Sequence, residues 1–224
     1  MRFLKRVPGR RTAALAGACA VTLWGLTAAA VFGAGTANAT TCLAGTPCTI
    51  TGTASVGAGT LSLTTPDSLA WTATLTGAAQ DVVDTTPADE SLTVNDARGS
   101  GAGWNVAVDA TTFTSGTHTL ANPTAFFANG NPTSPVATTA PDGVCTTTGD
   151  CTPPTGDTAV YPLAIPTAPA APTPVTLYTA AVGSGLGSVL IGSADHIGWW
   201  LSLPGNVAAG TYTSTIDLNV ASGP

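Results

Sequence analysis

Along most of this chain apolar and polar residues take turns one by one, the spacing that sends alternate side chains to opposite faces of an extended strand. The last such stretch is the cleanest. In Thr211 to Val220, the residues Tyr212, Ile216, Leu218 and Val220 share one face with Ser214, while Thr211, Thr213, Thr215, Asp217 and Asn219 share the other. Leu69, Trp71, Ala73 and Leu75 alternate with Thr72, Thr74 and Thr76 in the same way, as do Trp104, Val106 and Val108 with Asn105 and Asp109. The pattern predicts further strands around Cys48–Val56, Thr60–Thr64, Ser91–Asn95, Phe113–Leu120, Val175–Ala180, Val189–Ser193 and Trp199–Leu203. Roughly ten short strands punctuated by Gly and Pro predict an all-β fold, an antiparallel β-sandwich of immunoglobulin-like type.

The rhythm breaks between Ala121 and Pro174, which holds 11 of the 17 prolines. Proline has no N–H to give to a ladder, and structureless stretches of this length are uncommon inside a domain. The stretch is therefore expected to be a partly extended Pro/Gly-rich insertion at one end of the sandwich.

The first 39 residues read differently. Arg2, Lys5, Arg6, Arg10 and Arg11 lead into an apolar run from about Thr12 to Phe32, closed by Ala37-Asn38-Ala39. This is the make-up of a cleaved export signal, with cleavage expected after Ala39, although it is longer than the usual ~15–30 residues. An uncleaved anchor is the alternative, against which the Ala-x-Ala triplet speaks. Arg10-Arg11 leaves twin-arginine export open beside the general route, and the residues before Cys19 make a poor lipobox. The expected mature domain is 40–224, secreted and not inserted in a membrane after cleavage.

Removing the leader changes the charge. The chain as a whole carries −6, but residues 40–224 keep one cation, Arg98, against all 12 acids, a net charge of −11. Such a surface repels nucleic acid and anionic lipid. With no lysine, P-loop and Schiff-base chemistry are also excluded.

Four cysteines remain, Cys42 and Cys48, then Cys145 and Cys151. In an exported chain an even count predicts disulfides, and two local pairings are expected because each loop is short and contains Gly. The spacing is not that of a zinc knuckle, and His118 and His196 lie far away in sequence.

No cofactor, metal or catalytic residue is called for. There is no G-x-S-x-G, and Asp195-His196 has no marked nucleophile beside it. Gly183-Ser184-Gly185-Leu186-Gly187 has no helix pattern after it and reads as a turn. Asp81, Asp84, Asp89 and Glu90 fit no EF-hand spacing and read as surface acids.

Two stretches are more specific. In the first, Leu92-Thr93-Val94-Asn95 leads through Asp96-Ala97-Arg98 and the bend Gly99-Ser100-Gly101-Ala102-Gly103 to Trp104-Asn105-Val106. A guanidinium grips a carboxylate with two parallel bonds, so Arg98 is expected to pin this turn through Asp96 or Asp109. The second is the terminal run with Tyr212, Ile216, Val220 and Pro224 at fixed spacing. Together they resemble the WxL domain of Gram-positive cell surfaces: the first motif as an Asp-x-Arg turn, a glycine bend and Trp-x-Leu, the second as a terminal Tyr, aliphatic, Thr-Trp-x-Leu, Pro array. Here Val106 stands for the Leu, and Asp217-Leu218 replace the Thr-Trp, making this a divergent member.

The resemblance implies a non-catalytic β-sandwich that attaches to peptidoglycan or to other cell-surface proteins; a secreted structural or adhesive protein that self-assembles is the alternative. The sequence carries no sortase motif, so attachment is expected to be non-covalent. Candidate binding residues are Trp200, Trp104, Arg98 and Asp96. Trp71 and Trp104 fall on apolar faces and are expected in the core. Trp200 falls with Ser202, opposite Trp199, Leu201 and Leu203. Its indole is either an open platform for a sugar ring or partner, or is covered by a second layer or by the Pro-rich stretch.

Overall fold

The computed structural model describes residues 44–45, 51–120, 125–170 and 172–224. The expected leader (1–39) and the expected Cys42–Cys48 bridge lie outside these residues. The chain divides into two units, Met1–Thr53 and Ala54–Pro224. Of the first, a turn at Ala44-Gly45 and irregular backbone over 51–53 are described.

The second unit is all β. Its strands are β1 (Leu61–Thr64), β2 (Gln80–Val83), β3 (Leu92–Asp96), β4 (Trp104–Thr111), β5 (Thr114–Ser115), β6 (His118–Thr119), β7 (Phe126–Asn129), β8 (Gly143–Cys145), β9 (Leu163–Ala164), β10 (Thr167–Ala168), β11 (Val175–Ala180), β12 (Gly187–Ile191), β13 (Gly198–Leu203) and β14 (Ile216–Ser222). One 3-10 turn, Pro87–Asp89, is the only helical piece among the described residues. Strands β1, β3, β12 and β8 form one sheet in that order, and β2, β13, β7 and β9 another. The third is built on β4, which pairs with β14, β11 and β10. All these pairings are antiparallel except β10 with β4.

The sheets turn their apolar faces to one shared core, a sandwich-like arrangement. Trp104, Val106 and Val108 of β4 are fully buried, and Leu92, Val94, Phe126, Leu177, Val189, Ile191 and Trp199 join them from five other strands. In β14 the alternation holds, with Ile216, Leu218 and Val220 half-buried and Asp217 and Asn219 exposed. The ladder begins later than the pattern predicts, however: before Ile216 only Thr213 is bridged, to Thr114.

Residues 51–56, the described part of the expected Cys48–Val56 strand, form no strand, and Phe113–Leu120 holds two short paired strands rather than one. Two further expectations are revised. Leu69–Leu75 forms no strand. Its apolar residues do point inward, with Leu69 and Trp71 against the core, but its polar backbone goes elsewhere: the Ala70 N–H donates to Asp84 and the Thr74 carbonyl accepts from Gln80. Alternation fixes a facing; a strand also needs a neighbour. The second revision concerns 121–174. Its described parts are not set apart from the sandwich, because β7 lies between β13 and β9 and Phe126, Ala128, Tyr161, Leu163 and Ile165 are core residues. Apolar positions between the prolines supply short strands even where proline stops long ones. Cys145 and Cys151 are joined by a disulfide at the rim of β8.

Candidate functional site

Strand β3 ends at Asp96 and β4 begins at Trp104, and between them the chain makes a bend that only glycine accepts cheaply. Gly99, Gly101 and Gly103 all have positive φ, at 67°, 63° and 73°. At Gly103 space is decisive as well, since a Cβ there would lie 2.5 Å from the Ala180 carbonyl oxygen. The bend carries Arg98 back over the end of β3. Its Nε donates to Asp96 Oδ1 at 2.9 Å and its Nη2 to Asp96 Oδ2 at 2.8 Å, the two-pronged grip expected for the first of the two candidate acids. Asp96 is buried, and the Arg98 bonds outweigh that burial and hold its carboxyl below the usual carboxylate range.

The same guanidinium reaches further. Nη2 also donates to the Gly103 carbonyl at 2.8 Å, and Nη1 donates to the Ser222 hydroxyl at the end of β14. The residue after β14 is laced beside it: Gly223 N–H donates to the Gly103 carbonyl at 3.1 Å, and Asn105 Nδ2 donates to the Gly223 carbonyl at 2.8 Å. Strand register agrees, with Ser222 opposite Trp104 and Val220 opposite Val106. The two sequence motifs thus form one junction, fastened by the single cation of residues 40–224. Ser222 and Asn105 were not among the candidate residues; Asn105 on the polar face of β4 was the available hint.

Beneath the junction lies Trp104. Its Nε1 donates to the Gly185 carbonyl at 2.9 Å and its ring stacks on Tyr178, centroids 6.1 Å apart. Gly185, inside the glycine-rich turn 183–187, has φ of 70°, and a Cβ there would sit 2.5 Å from the indole nitrogen. That turn is a dock for the segment after the disulfide, with Gly185 N–H on the Thr152 carbonyl and Thr152 N–H on the Leu186 carbonyl.

Trp200 does lie on the face opposite Trp199, but it is not an open platform. It is 5% exposed, stacks on Phe127 with centroids 6.1 Å apart, and donates to Asn129 Oδ1 at 3.2 Å. The cover comes from β7 and the loop after it, where Asn129 Nδ2 donates to the Ser134 carbonyl. Of the two alternatives, the Pro-rich stretch is the one realised. The remaining indoles are also committed: Trp71 donates to the Trp199 carbonyl and Trp199 to the Asp89 carbonyl. Every tryptophan described is half-buried or buried and hydrogen-bonded, so these rings build the scaffold.

With so few cations, three acids besides Asp96 are held by backbone N–H groups. Asp84 accepts from Ala70 and Thr86, Asp142 from Ser193, Ala194 and Asp195, and Asp157 from Ala159 and Thr179. His196 contacts the Gly192 carbonyl at 3.0 Å rather than Asp195. Among the described residues no three His, Cys, Asp or Glu side chains converge as a metal-holding group.

Asp109 is the exception. It is 4% exposed, its Oδ1 has no partner among the described residues, and it stands directly opposite Asp217 across the strand pair. Burial first, and then the Asp217 charge, push its carboxyl above the usual range. A raised folded-state value means that ionisation at neutral pH opposes folding, and that this opposition fades as the pH falls below that value. Asp109→Asn is therefore expected to stabilise the protein at pH 7 by up to about 1 kcal/mol, the scale of a like-charge cross-strand pair. The gain should shrink toward pH 4, near the unfolded carboxyl's own titration; urea midpoints at the two pH values would show it.

A protein-family model described as "WxL domain surface cell wall-binding" matches residues 57–224, most of the chain, and both motifs of the junction fall inside the match. No curated protein and no solved structure matches the chain at a significant level.

Proposed function

We propose that this chain, which belongs to the WxL domain family, is an exported, non-catalytic surface protein that holds to peptidoglycan without a covalent bond. The family is one of cell wall-binding surface domains, which gives the coarse reading of a wall-binding surface protein. The observation that carries the finer one is the junction itself: the two stretches that mark the family, far apart in sequence, are brought side by side by Arg98, Ser222 and Gly223. A junction that spends its only cation on holding shape is suited to present a surface, not to turn over a substrate.

The contact face is the polar rim beside the junction, where Asn219 is exposed on β14 and Asn105 and Ser222 lie at its end. Amide and hydroxyl groups of this kind hydrogen-bond sugar hydroxyls and peptide amides. A net charge of −11 on residues 40–224 disfavours phosphate-bearing wall polymers and leaves peptidoglycan as the matching component.

The test is sedimentation with purified cell walls at physiological salt. The protein is expected in the wall pellet, and stripping phosphate-bearing polymers from the walls should not reduce its retention. A protein that stays in the supernatant with both wall preparations overturns the reading; oligomers or fibres formed without wall polymer would favour a self-assembling structural protein instead.

A further inference from the structure

Between the segment 65–75 and the stretch 207–218 runs a groove of about 1210 Å3, floored by Phe113, Leu120, Leu201 and Leu203. Its walls are apolar and incompletely covered. Leu69, Trp71, Val207, Tyr212, Ile216 and Leu218 pack on the core but stay half-buried, and Leu75 is 42% exposed. Residues 71–76 make no backbone–backbone hydrogen bond with any described residue; of their backbone groups the Thr74 carbonyl is taken, by the Gln80 side chain. The other wall includes Ile216, Asp217 and Leu218 at the start of β14, whose hydrogen-bonded neighbour is β4 and beside which β1 packs.

An apolar trough flanked by backbone without ladder partners is the shape that takes an additional extended strand. The charge around it selects the kind of strand. Asp67 and Asp217 line the groove and no Lys, Arg or His does. Behind Asp217 stands Asp109, nine-tenths buried with one oxygen unpartnered. The only cation of residues 40–224, Arg98, is spent on Asp96, so a second copy of this domain has no positive charge to bring.

We propose that this groove binds an extended, basic polypeptide segment of another protein, which pairs with the backbone of residues 71–76, with its apolar side chains in the trough and its cations toward Asp217 and Asp67. Strand addition draws affinity from main-chain bonds and specificity from alternate side chains. The arriving ammonium or guanidinium groups would offset the Asp109–Asp217 repulsion that the free domain carries. This goes beyond wall attachment and does not depend on it.

Calorimetric titration of the full-length exported protein with capped eight-residue peptides tests it. A Lys-Val alternating peptide is expected to bind, and to bind less tightly as salt rises. A Glu-Val peptide of the same pattern should bind at least tenfold more weakly. N-methylation of every second amide of the Lys-Val peptide, which keeps its charge and side chains but prevents pairing, should cost at least tenfold too. Asp217→Asn, an exposed substitution that also relieves Asp109, should keep the fold and weaken the Lys-Val peptide by about two- to fivefold, the worth of an exposed ion pair. Equal binding of the Lys and Glu peptides, undiminished binding after N-methylation, or no binding at all overturns the proposal. So does a concentration-dependent dimer in sedimentation that the peptide displaces, which would give the groove to a second copy. No wall polymer is present, so failure here is separate from failure of wall attachment.

Discussion

Replacing Trp104 with alanine is expected to cost about 3–5 kcal/mol, the range for deleting a large buried aromatic side chain. The indole is fully buried, holds the Gly185 carbonyl at 2.9 Å and stacks on Tyr178, so its loss opens a cavity and orphans an acceptor together. The neighbours cannot close the gap easily. Gly185 is fixed at positive φ by its turn, and β4 is held on both edges by β14 and β11. In a protein of this size such a loss lowers the melting temperature by about 10 °C or more. Trp104→Phe separates the contributions: it keeps most of the burial and leaves the Gly185 carbonyl without its donor, at about 1–3 kcal/mol. Thermal and urea denaturation followed by circular dichroism would measure both. An alanine variant within about 1 kcal/mol of the parent would mean that the junction does not rest on this ring.

Arg98→Ala should be nearly as severe, at about 3 kcal/mol, the lower end for removing one partner of a buried ion pair. The cost arises chiefly from what is left behind. Asp96, whose side chain has no exposure, would keep only the backbone N–H of residue 98 at 3.1 Å, and the Gly103 carbonyl and Ser222 hydroxyl would lose their shared donor. Arg98→Lys keeps the charge without the planar fork and should fall between the two. The pH dependence identifies the source. Because Arg98 holds the Asp96 carboxyl low, the stability it confers is fully present above the unfolded carboxyl value of about 3.9 and is lost as the pH falls through the lower folded value. The gap in urea midpoint between parent and Arg98→Ala should therefore be wide at pH 7 and narrower at pH 3. A gap unchanged between the two would assign the loss to packing. Asp109→Asn moves with the opposite sign at neutral pH, since that carboxyl is held high.

Much of this was legible from residue order because it is local. Period-two alternation is a property of the strand's own backbone, and it correctly placed Trp104, Val106 and Val108 in the core and Asp217 and Asn219 outside. Asp96 sits two residues from Arg98, close enough for the turn to join them wherever the rest of the chain goes. Three glycines at alternate positions announced a bend that side chains would obstruct. The motif spacing was enough to suggest the family.

What residue order left open was decided by partners distant in sequence. Leu69–Leu75 alternates as well as any strand, yet no described strand pairs with it, and pairing depends on a neighbour rather than on the segment. Trp200 alternates onto the outer face, and only the pairing of β7 beside β13, which sets Phe127 against the indole, covered it. Ser222 meets Arg98 across 124 positions of sequence because β14 runs antiparallel along β4 in one register and no other. Facing is set by the geometry of each strand, while cover and contact are set by which strands meet; the first is written every two residues, and the second exists only once the sheets have assembled.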